Sequence, residues 1–581
     1  MKRILTAVVM LAASLTVAQA EPHHPSWLSR AVFYQIYPSS YMDSDGDGIG
    51  DLRGIQSRLG YLKDLGINAI WLNPIFVSGW FDGGYDVIDF YRVDPRFGTN
   101  SDLVALVKAA HLTGIKVCLD LVAGHTSNRC PWFLESANGG VDDRYADYYI
   151  WTDSISQKDR DDIALRQQAP DPQASTIGKY VEADARRGHF YLKNYYPCQP
   201  ALNYGYAHPD PAHPWEQSVD APGPQAVRRE LRNIMAFWFG KGVDGFRVDL
   251  ASSLVKNDPD KKAVMALWKE MRQWRDEHYP DRALISEWAN PPQAIPAGFD
   301  IDFMIQFGVA GYASLFFAPD TPWGQRQTKR KGQPTPCYFD RAGRGSIKEF
   351  IDNFSDSYNK TKGLGYIAIP TANHDFQRPN IGTRCTTDQL KVAMTFFLTM
   401  PGVPLIYYGD EIGMRYQPGL PSKEGSNDRG GSRTPMQWAP GATAGFSTCE
   451  PSELYLPVAT DDGRLTVATE EQDPGSLLQY TKALLTLRQA TPALGNDGAW
   501  ALVSDVDRPY PMVYQRTSGS QTVLVALNPS GKKVSVILPS LDTKHAAARP
   551  DSAGVLLHTG TCSISHSRLT LGPCSAAIVA L

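Results

Sequence analysis

The chain has 581 residues, 43% of them hydrophobic and 20% charged, a composition that excludes wholesale disorder and a length that allows two or three domains around a sizeable core. Its 57 Lys and Arg against 61 Asp and Glu leave a formal charge of −4, without the basic excess that binding a phosphate backbone requires. Nucleic acid is therefore not an expected partner.

The first twenty residues read as a secretory signal: Lys2 and Arg3, an apolar stretch from Ile4 to Val17, and a small-residue cleavage site at Ala18-Gln19-Ala20. The mature chain is expected to begin near Glu21 and to be exported, to a periplasm or outside the cell. No later stretch reaches the roughly twenty apolar residues of a membrane span, so no membrane insertion is expected. Export makes disulfides chemically possible for the 8 cysteines. Cys118, inside VCLDLV, reads as a buried thiol, whereas Cys130 with Cys198 and Cys562 with Cys574 are candidate pairs. Cys and His are nowhere spaced closely as in a zinc site.

Eight β-rich runs follow in order, separated by helix-like stretches: AVFYQIY, INAIWLNP, IKVCLDLV, VDGFRVDL, RALISE, IDFMIQF, YIAIPTANH and VPLIYYG. That alternation predicts an α/β fold with a closed parallel sheet, the (β/α)8 or TIM barrel. A long insertion rich in Asp, Gln, Tyr and Gly separates the third run from the fourth, and inserted barrel loops of that size usually carry function. After a last helical segment, SLLQYTKALLTLRQA, the pattern changes to MVYQR, TVLVALN, VSVIL and AAIVAL, a small antiparallel β domain from about Gly495.

In a parallel barrel catalytic groups sit where strands end. Asp120 and His125 end the third run, Arg247 and Asp249 the fourth, Glu287 the fifth, and Asn373-His374-Asp375 the seventh. Arg247 and Asp249, two apart, share one face of a strand. An arginine beside a carboxylate favours its ionised form, while a second carboxyl crowded by like charge is pushed toward the protonated acid. A retaining glycosidase needs that division, with the two carboxyls about 5–5.5 Å apart. A structural ion pair between Arg247 and Asp249 would leave the same spacing.

These residues resemble the motifs of the α-amylase family, glycoside hydrolase family thirteen, from about Val32 to Ala490. GYDVIDFYRVDPRFGT from Gly84, DLVAGH, DGFRVD, ISEWAN and NHD fall in the family's order, and SRTPMQW at Ser432 to Trp438 is similar to a segment of its oligo-1,6-glucosidase, α-glucosidase and trehalose-synthase branch. The resemblance implies a barrel over 21–126 and 201–494, an inserted loop-rich domain over 127–200 and a C-terminal antiparallel β-sandwich over 495–581, behind the signal peptide at 1–20. It implies Asp249 as nucleophile, Glu287 as general acid/base and Asp375 as the carboxylate that binds sugar hydroxyls and stabilises the transition state. His125, His374, Asp86 and Arg247 would hold the sugar or its nucleophile, Tyr85 would stack on the ring, and Arg378 would be a pocket arginine.

The loop Asp43 to Asp51 places carboxylates at alternate positions with glycines between, an arrangement that suits a hard cation. Gly54 stands where an EF-hand would carry its bidentate Glu. The loop also looks like the single calcium site of the oligo-1,6-glucosidase branch, which implies Asp43, Asp45, Asp47, the Ile49 carbonyl and Asp51 as ligands of one structural calcium. Gly124 replaces the family's usual Asn in DLVAGH, and QPALN carries Ala201 in place of Asp; both departures remove ligands from a second calcium. Leu250, after the nucleophile, matches neither linkage-specific pattern of the branch. Trp80, Phe81, Trp132 and Phe133 read either as sugar platforms or as loop packing.

Three functions follow. The first is an exported, monomeric retaining α-glucoside hydrolase acting on α-glucans or malto- and isomalto-oligosaccharides. The second is a transferase or isomerase that hands the same glucosyl intermediate to a sugar. The third is an inactive sugar-binding member, against which Asp249, Glu287 and Asp375 argue.

Overall fold

The computed structural model describes residues 24–140, 142–304, 311–316, 336–420, 423–424, 429–459, 465–538, 554–565 and 567–581. The signal segment expected at 1–20 lies outside them. Eight parallel strands close into a barrel: β1 (Phe33–Ile36), β2 (Ala69–Leu72), β3 (Lys116–Leu121), β4 (Gly245–Val248), β5 (Ala283–Ser286), β6 (Ile301–Phe303), β7 (Tyr366–Pro370) and β8 (Val403–Tyr407). Each pairs with its sequence neighbours, and β8 closes on β1. All eight fall inside the runs read from the sequence.

The strands are near-continuous apolar runs because both faces are covered: β1, β2, β4, β5, β6 and β8 are buried along their whole length. Close approach is enforced at Gly245, where a Cβ would come within 2.7 Å of the Ala283 carbonyl oxygen and 2.9 Å of Cys118 Sγ. Larger side chains there would separate β4 from both neighbours, and β4 carries Arg247 and leads directly into Asp249. The helix after β2, Asn100–Thr113, starts at a capping box between Thr99 and Asp102 and stops at Gly114, whose φ of 82° suits glycine. The helix expected at SLLQYTKALLTLRQA spans Leu477–Ala490 with Ser476 as its N-cap.

The insertion after β3 builds an antiparallel three-stranded sheet from Trp151–Thr152, Gly188–Leu192 and Tyr180–Ala185. It has its own apolar cluster, including Ile150, Tyr180, Phe190, Leu192 and Ala201. Beyond the barrel, a five-stranded antiparallel sheet and a three-stranded one share a core of Val513, Leu524, Leu538, Leu569, Leu571 and Val579, which makes a β-sandwich. Among the described residues no helix is long and apolar enough to cross a membrane.

Neither expected disulfide forms, for all eight cysteines are free. The Cys130 thiol turns to Tyr149 and Thr126, and Cys574 Sγ donates to the Pro529 carbonyl at 3.6 Å, so these sulfurs face polar partners instead of each other. Cys118 is the buried thiol expected.

Opposite the strand ends that carry the catalytic candidates lies an ionic knot around the fully buried Asp300. Asp300 accepts from Arg275 Nη1 and Arg272 Nη1, each at 3.1 Å, from His24 Nδ1 at 2.9 Å and from the Leu284 N–H at 2.8 Å. Burial alone would raise its carboxyl, but Arg275, His24 and Arg272 outweigh that and hold it down at about 2. Because the folded value lies below the unfolded one of roughly 3.9, this stabilisation is present above pH 4 and lost as pH falls through 2. Asp300→Asn strips two buried arginines of the carboxylate they share and is expected to cost about 3–5 kcal/mol. Urea unfolding of the variant at pH 7 checks this, and an unchanged midpoint would refute it.

Candidate functional site

Three barrel strands converge on one guanidinium. The register sets Asp120 of β3 directly against Arg247 of β4, and Arg247 against Ile285 of β5, two residues before Glu287. Arg247 Nη1 donates to Asp120 Oδ1 at 2.9 Å and to Asp249 Oδ1 at 3.0 Å, while Nη2 meets Glu287 Oε1 at 2.8 Å. The second oxygen, Glu287 Oε2, accepts the Leu250 N–H at 3.0 Å. That N–H points inward because Leu250 adopts φ 43° and ψ 41°, a left-handed conformation unfavourable for a leucine.

Asp249 and Glu287 are thus held on the two terminal nitrogens of one guanidinium, and Glu287 lowers the Asp249 carboxyl through a side-chain hydrogen bond. A retaining glycosidase places such carboxyls about 5–5.5 Å apart, closer than the roughly 6.5–9.5 Å of an inverting one. Burial pushes Asp249 up to about 6, with Arg247 pulling it down. Burial pushes Glu287 further, to about 8, with Arg247 opposing and the charges of Asp249 and Asp375 adding. At pH 7 the pair therefore divides into a carboxylate at Asp249 and an acid at Glu287. Arg247 lowers both carboxyls and does not bring Asp249 into the ordinary carboxylate range.

Asp375, beyond β7, behaves oppositely. Although desolvation pushes this half-buried carboxyl up, the guanidiniums of Arg429, Arg433 and Arg247 hold it well below the usual carboxylate range. Arg429 Nε lies 3.2 Å and Arg433 Nη2 3.5 Å from Asp375 Oδ1. Arg433 is itself fixed by donating to the His374 carbonyl at 2.8 Å and to Glu424 Oε2 at 2.9 Å.

The Tyr85 hydroxyl ties the two sides together. His374 Nε2 is 2.8 Å from it, and it donates to Asp120 Oδ2 at 2.9 Å, while its ring stacks on His374 at 5.4 Å and 9°. Gln35 Nε2 and Asn73 Nδ2 donate to His374 Nδ1 at 3.0 and 3.2 Å, so the ring proton sits on Nε2. His374 is buried and kept neutral.

Several expected residues face elsewhere. His125 is buried and lowered to about 3, with Asn194 Nδ2 donating to its Nδ1 at 2.8 Å and its Nε2 reaching the Tyr85 carbonyl at 3.0 Å. Both ring nitrogens are thus committed to protein groups. Asp86 is buried with its oxygens engaged by protein: they accept from the N–H groups of Phe81 and Asp82 at 3.1 and 3.0 Å and from Ser78 Oγ at 3.1 Å. Arg378 is not a pocket arginine either. It lies buried against Tyr407 and Tyr408 and donates to Asp410 Oδ1 at 2.8 Å and the Ser432 carbonyl at 2.9 Å. Replacing the branch's usual residues by Phe376 and Gln377 accompanies this; Phe376 is a core residue.

The arginines at Asp375 are Arg429 and Arg433, to which the sequence reading gave no role, though Arg433 stands in the SRTPMQW segment. Arg429 Nη1 also donates to Asp82 Oδ1 at 2.8 Å, and Asp82 Oδ2 accepts from Gln199 Nε2 of the QPALN segment at 2.9 Å. A polar bridge thus joins the inserted segment to the barrel beside Asp375. Gly124 is explained by Asn194, whose amide nitrogen would lie 3.0 Å from a Cβ at 124. Ala201 sits in the apolar cluster of the insertion, where an aspartate would be buried among Ile150, Phe190 and Leu192. The four aromatics are packing residues: Trp80 lies under Arg96 at 3.7 Å, Phe81 meets Tyr196 at 5.5 Å, Trp132 stacks between Phe90 and Tyr145, and Phe133 against Trp151.

In the acidic loop, ligand oxygens of Asp43, Asp45 and Asp51 lie within 4.8 Å of one another. Asp47 is outside this group and accepts the Ile49 N–H at 2.8 Å. Burial and the charges of Asp47, Asp51 and Asp43 raise the Asp45 carboxyl. Three carboxylates crowded by like charge fit a divalent cation.

The sequence profile of the α-amylase catalytic domain matches residues 35–497. The trehalose synthase/amylase of Mycobacterium tuberculosis is 33% identical over 502 residues, covering 82% of this chain and 77% of that protein. The oligo-1,6-glucosidase of Parageobacillus thermoglucosidasius is 30% identical over 574 residues, covering 88% and 92%. An isomaltulose synthase structure from Erwinia rhapontici NX5 superimposes with a TM-score of 0.75 at 25% identity, covering 96% of this chain and 100% of that one. The chain belongs to the α-amylase family of glycosidases.

Proposed function

We infer that the protein is an exported retaining α-glucosidase that hydrolyses α-glucans or malto- and isomalto-oligosaccharides by double displacement. The observation that carries this reading is the single guanidinium of Arg247 bridging two carboxyls that differ in proton affinity. Asp249 attacks the anomeric carbon, and Glu287 gives its proton to the leaving oxygen. Glu287 then removes a proton from the water that releases the glucosyl group. Asp375, ionised throughout, stabilises the positive charge on the sugar ring in both transition states. Burial of Asp249 and Glu287 to 8% and 5% exposure, with the Gln199–Asp82–Arg429 bridge alongside, supports a pocket for a chain end over an open cleft for polymer.

The second reading is transfer of the glucosyl group to a sugar acceptor, as in a trehalose synthase. It is favoured by the relative of that name at 33% identity and by the same enclosure, which would retain a released sugar. A chromatographic time course with maltose, isomaltose, sucrose, maltotetraose and soluble starch separates the two. Free glucose from the first minutes supports hydrolysis; trehalose or another isomer with little free glucose overturns it.

We further propose one structural calcium at Asp43, Asp45 and Asp51, with Asp47 and the Ile49 carbonyl as candidates to complete the shell. Because binding is linked to folding, removing an ion present at a hundredfold its Kd is expected to cost about 2.7 kcal/mol. Thermal melting with and without a chelator reads this directly, and Asp45→Asn should lower the melting temperature while abolishing its response to calcium. Identical curves in all conditions would exclude the site. Export by the segment at 1–20 is tested by sequencing the mature N-terminus, expected at Glu21.

A further inference from the structure

The residues on either side of Glu287 are held from behind by one carboxylate that does not touch the pocket chemistry. Asp302, the middle residue of β6, is fully buried and lies opposite Ser286 in the register. Its Oδ1 accepts from Ser286 Oγ at 2.6 Å, from the Trp288 N–H at 3.1 Å and from the Ala289 N–H at 3.3 Å. Its Oδ2 accepts from the Asn290 N–H at 2.8 Å. The donors belong to the residue before Glu287 and the three after it.

This matters because of where β5 ends. Ser286 is its last residue, Glu287 leaves the strand, and Ala289 takes a φ of 55°, a left-handed conformation that costs a non-glycine residue about 1–2 kcal/mol. A chain leaving a strand into such a turn needs partners for its free N–H groups, and here a single carboxylate takes three of them in succession. Tying the Ser286 side chain on one side and the N–H groups of Trp288 and Ala289 on the other fixes the backbone course through 287, and with it the direction in which its side chain projects. The Glu287 N–H is tied separately to the Val248 carbonyl at 2.9 Å.

The geometry points to Asp302 as a positioning residue for the acid/base: by gathering Ser286, Trp288, Ala289 and Asn290 around one carboxylate, it sets the trajectory along which Glu287 delivers its proton to the leaving oxygen. The inference rests on Glu287 being the acid/base. Its distinguishing signature is dependence on the leaving group. A displacement on the order of 1 Å costs roughly a hundredfold where geometry limits the step, yet a leaving group that departs without a proton does not feel it.

The test compares kcat/KM on maltose and on α-glucosyl fluoride, with the full mature protein. Asp302→Ala is expected to lose about a hundredfold on maltose and less than about fivefold on the fluoride. Asp302→Asn keeps an acceptor for three of the four donors and should fall between it and the parent. Equal losses on both substrates, or no loss on either, would overturn the role, since a purely structural defect lowers both together. If Asp302→Ala does not fold, the same ratio in Asp302→Asn and in Ser286→Ala decides. Glu287→Gln run alongside keeps the failures apart: a flat ratio there removes the acid/base assignment and this inference with it, while a flat ratio only in the Asp302 and Ser286 variants removes this inference alone.

Discussion

Asp249→Asn is expected to lower kcat/KM on maltose-type substrates by roughly 10⁴-fold or more, the scale of losing a covalent nucleophile. An amide oxygen of nearly the same shape cannot form the glycosyl ester, so the first displacement stops. The fold should survive, because the substitution keeps an oxygen for the 3.0 Å contact from Arg247 Nη1, and Arg247 retains Asp120 and Glu287. Removing a charge that burial already drives up to about 6 relieves an electrostatic cost, so the melting temperature is expected to hold or rise. Turnover and melting are measured on the same preparation. Near-parental turnover sinks the nucleophile assignment, and a collapsed melting curve shows that the carboxylate was structural.

How much of this could be read in advance differs by level. The barrel was legible because parallel strands covered on both faces must be apolar throughout, and runs such as VPLIYYG and VDGFRVDL cannot be surface strands. The placement of the candidate carboxylates was legible because barrel chemistry sits at strand ends, and Asp249 and Glu287 directly follow β4 and β5 while Asp375 lies beyond β7. The surrounding shell was not. Arg378, three residues after Asp375, follows the branch pattern in sequence but turns to Asp410, and no local signal reveals which way a buried guanidinium turns. The arginines that reach Asp375 come from more than fifty residues later, in a segment whose backbone course no periodicity predicts. Likewise, the Asn194 amide lies where a side chain at Gly124 would be, a contact between the insertion and β3 that only three-dimensional proximity discloses. The insertion thus supplies parts of the site, and its departures from the family pattern at Gly124 and Ala201 are consequences of how it packs.

Glu287→Gln should divide the reaction into its two halves. With maltose, whose leaving sugar needs a proton, kcat/KM is expected to fall by about 10²–10⁴-fold, the usual contribution of a positioned acid. With α-glucosyl fluoride the first displacement should proceed nearly unimpaired, after which the intermediate accumulates because no base activates water. A burst of fluoride stoichiometric with enzyme, followed by slow turnover, is the readout. The pH dependence carries the same assignment with a definite sign. In the parent enzyme activity requires Asp249 without its proton and Glu287 with one, so it should rise through about 6 and fall through about 8. The two groups act on each other's proton affinity, so these limbs belong to the pair. A glutamine cannot titrate, and for the fluoride's first step the alkaline limb should vanish while the acid limb persists, since its amide can still donate to Asp249. If the fall near pH 8 remains in the variant, another group owns it, and Glu287 is not the acid.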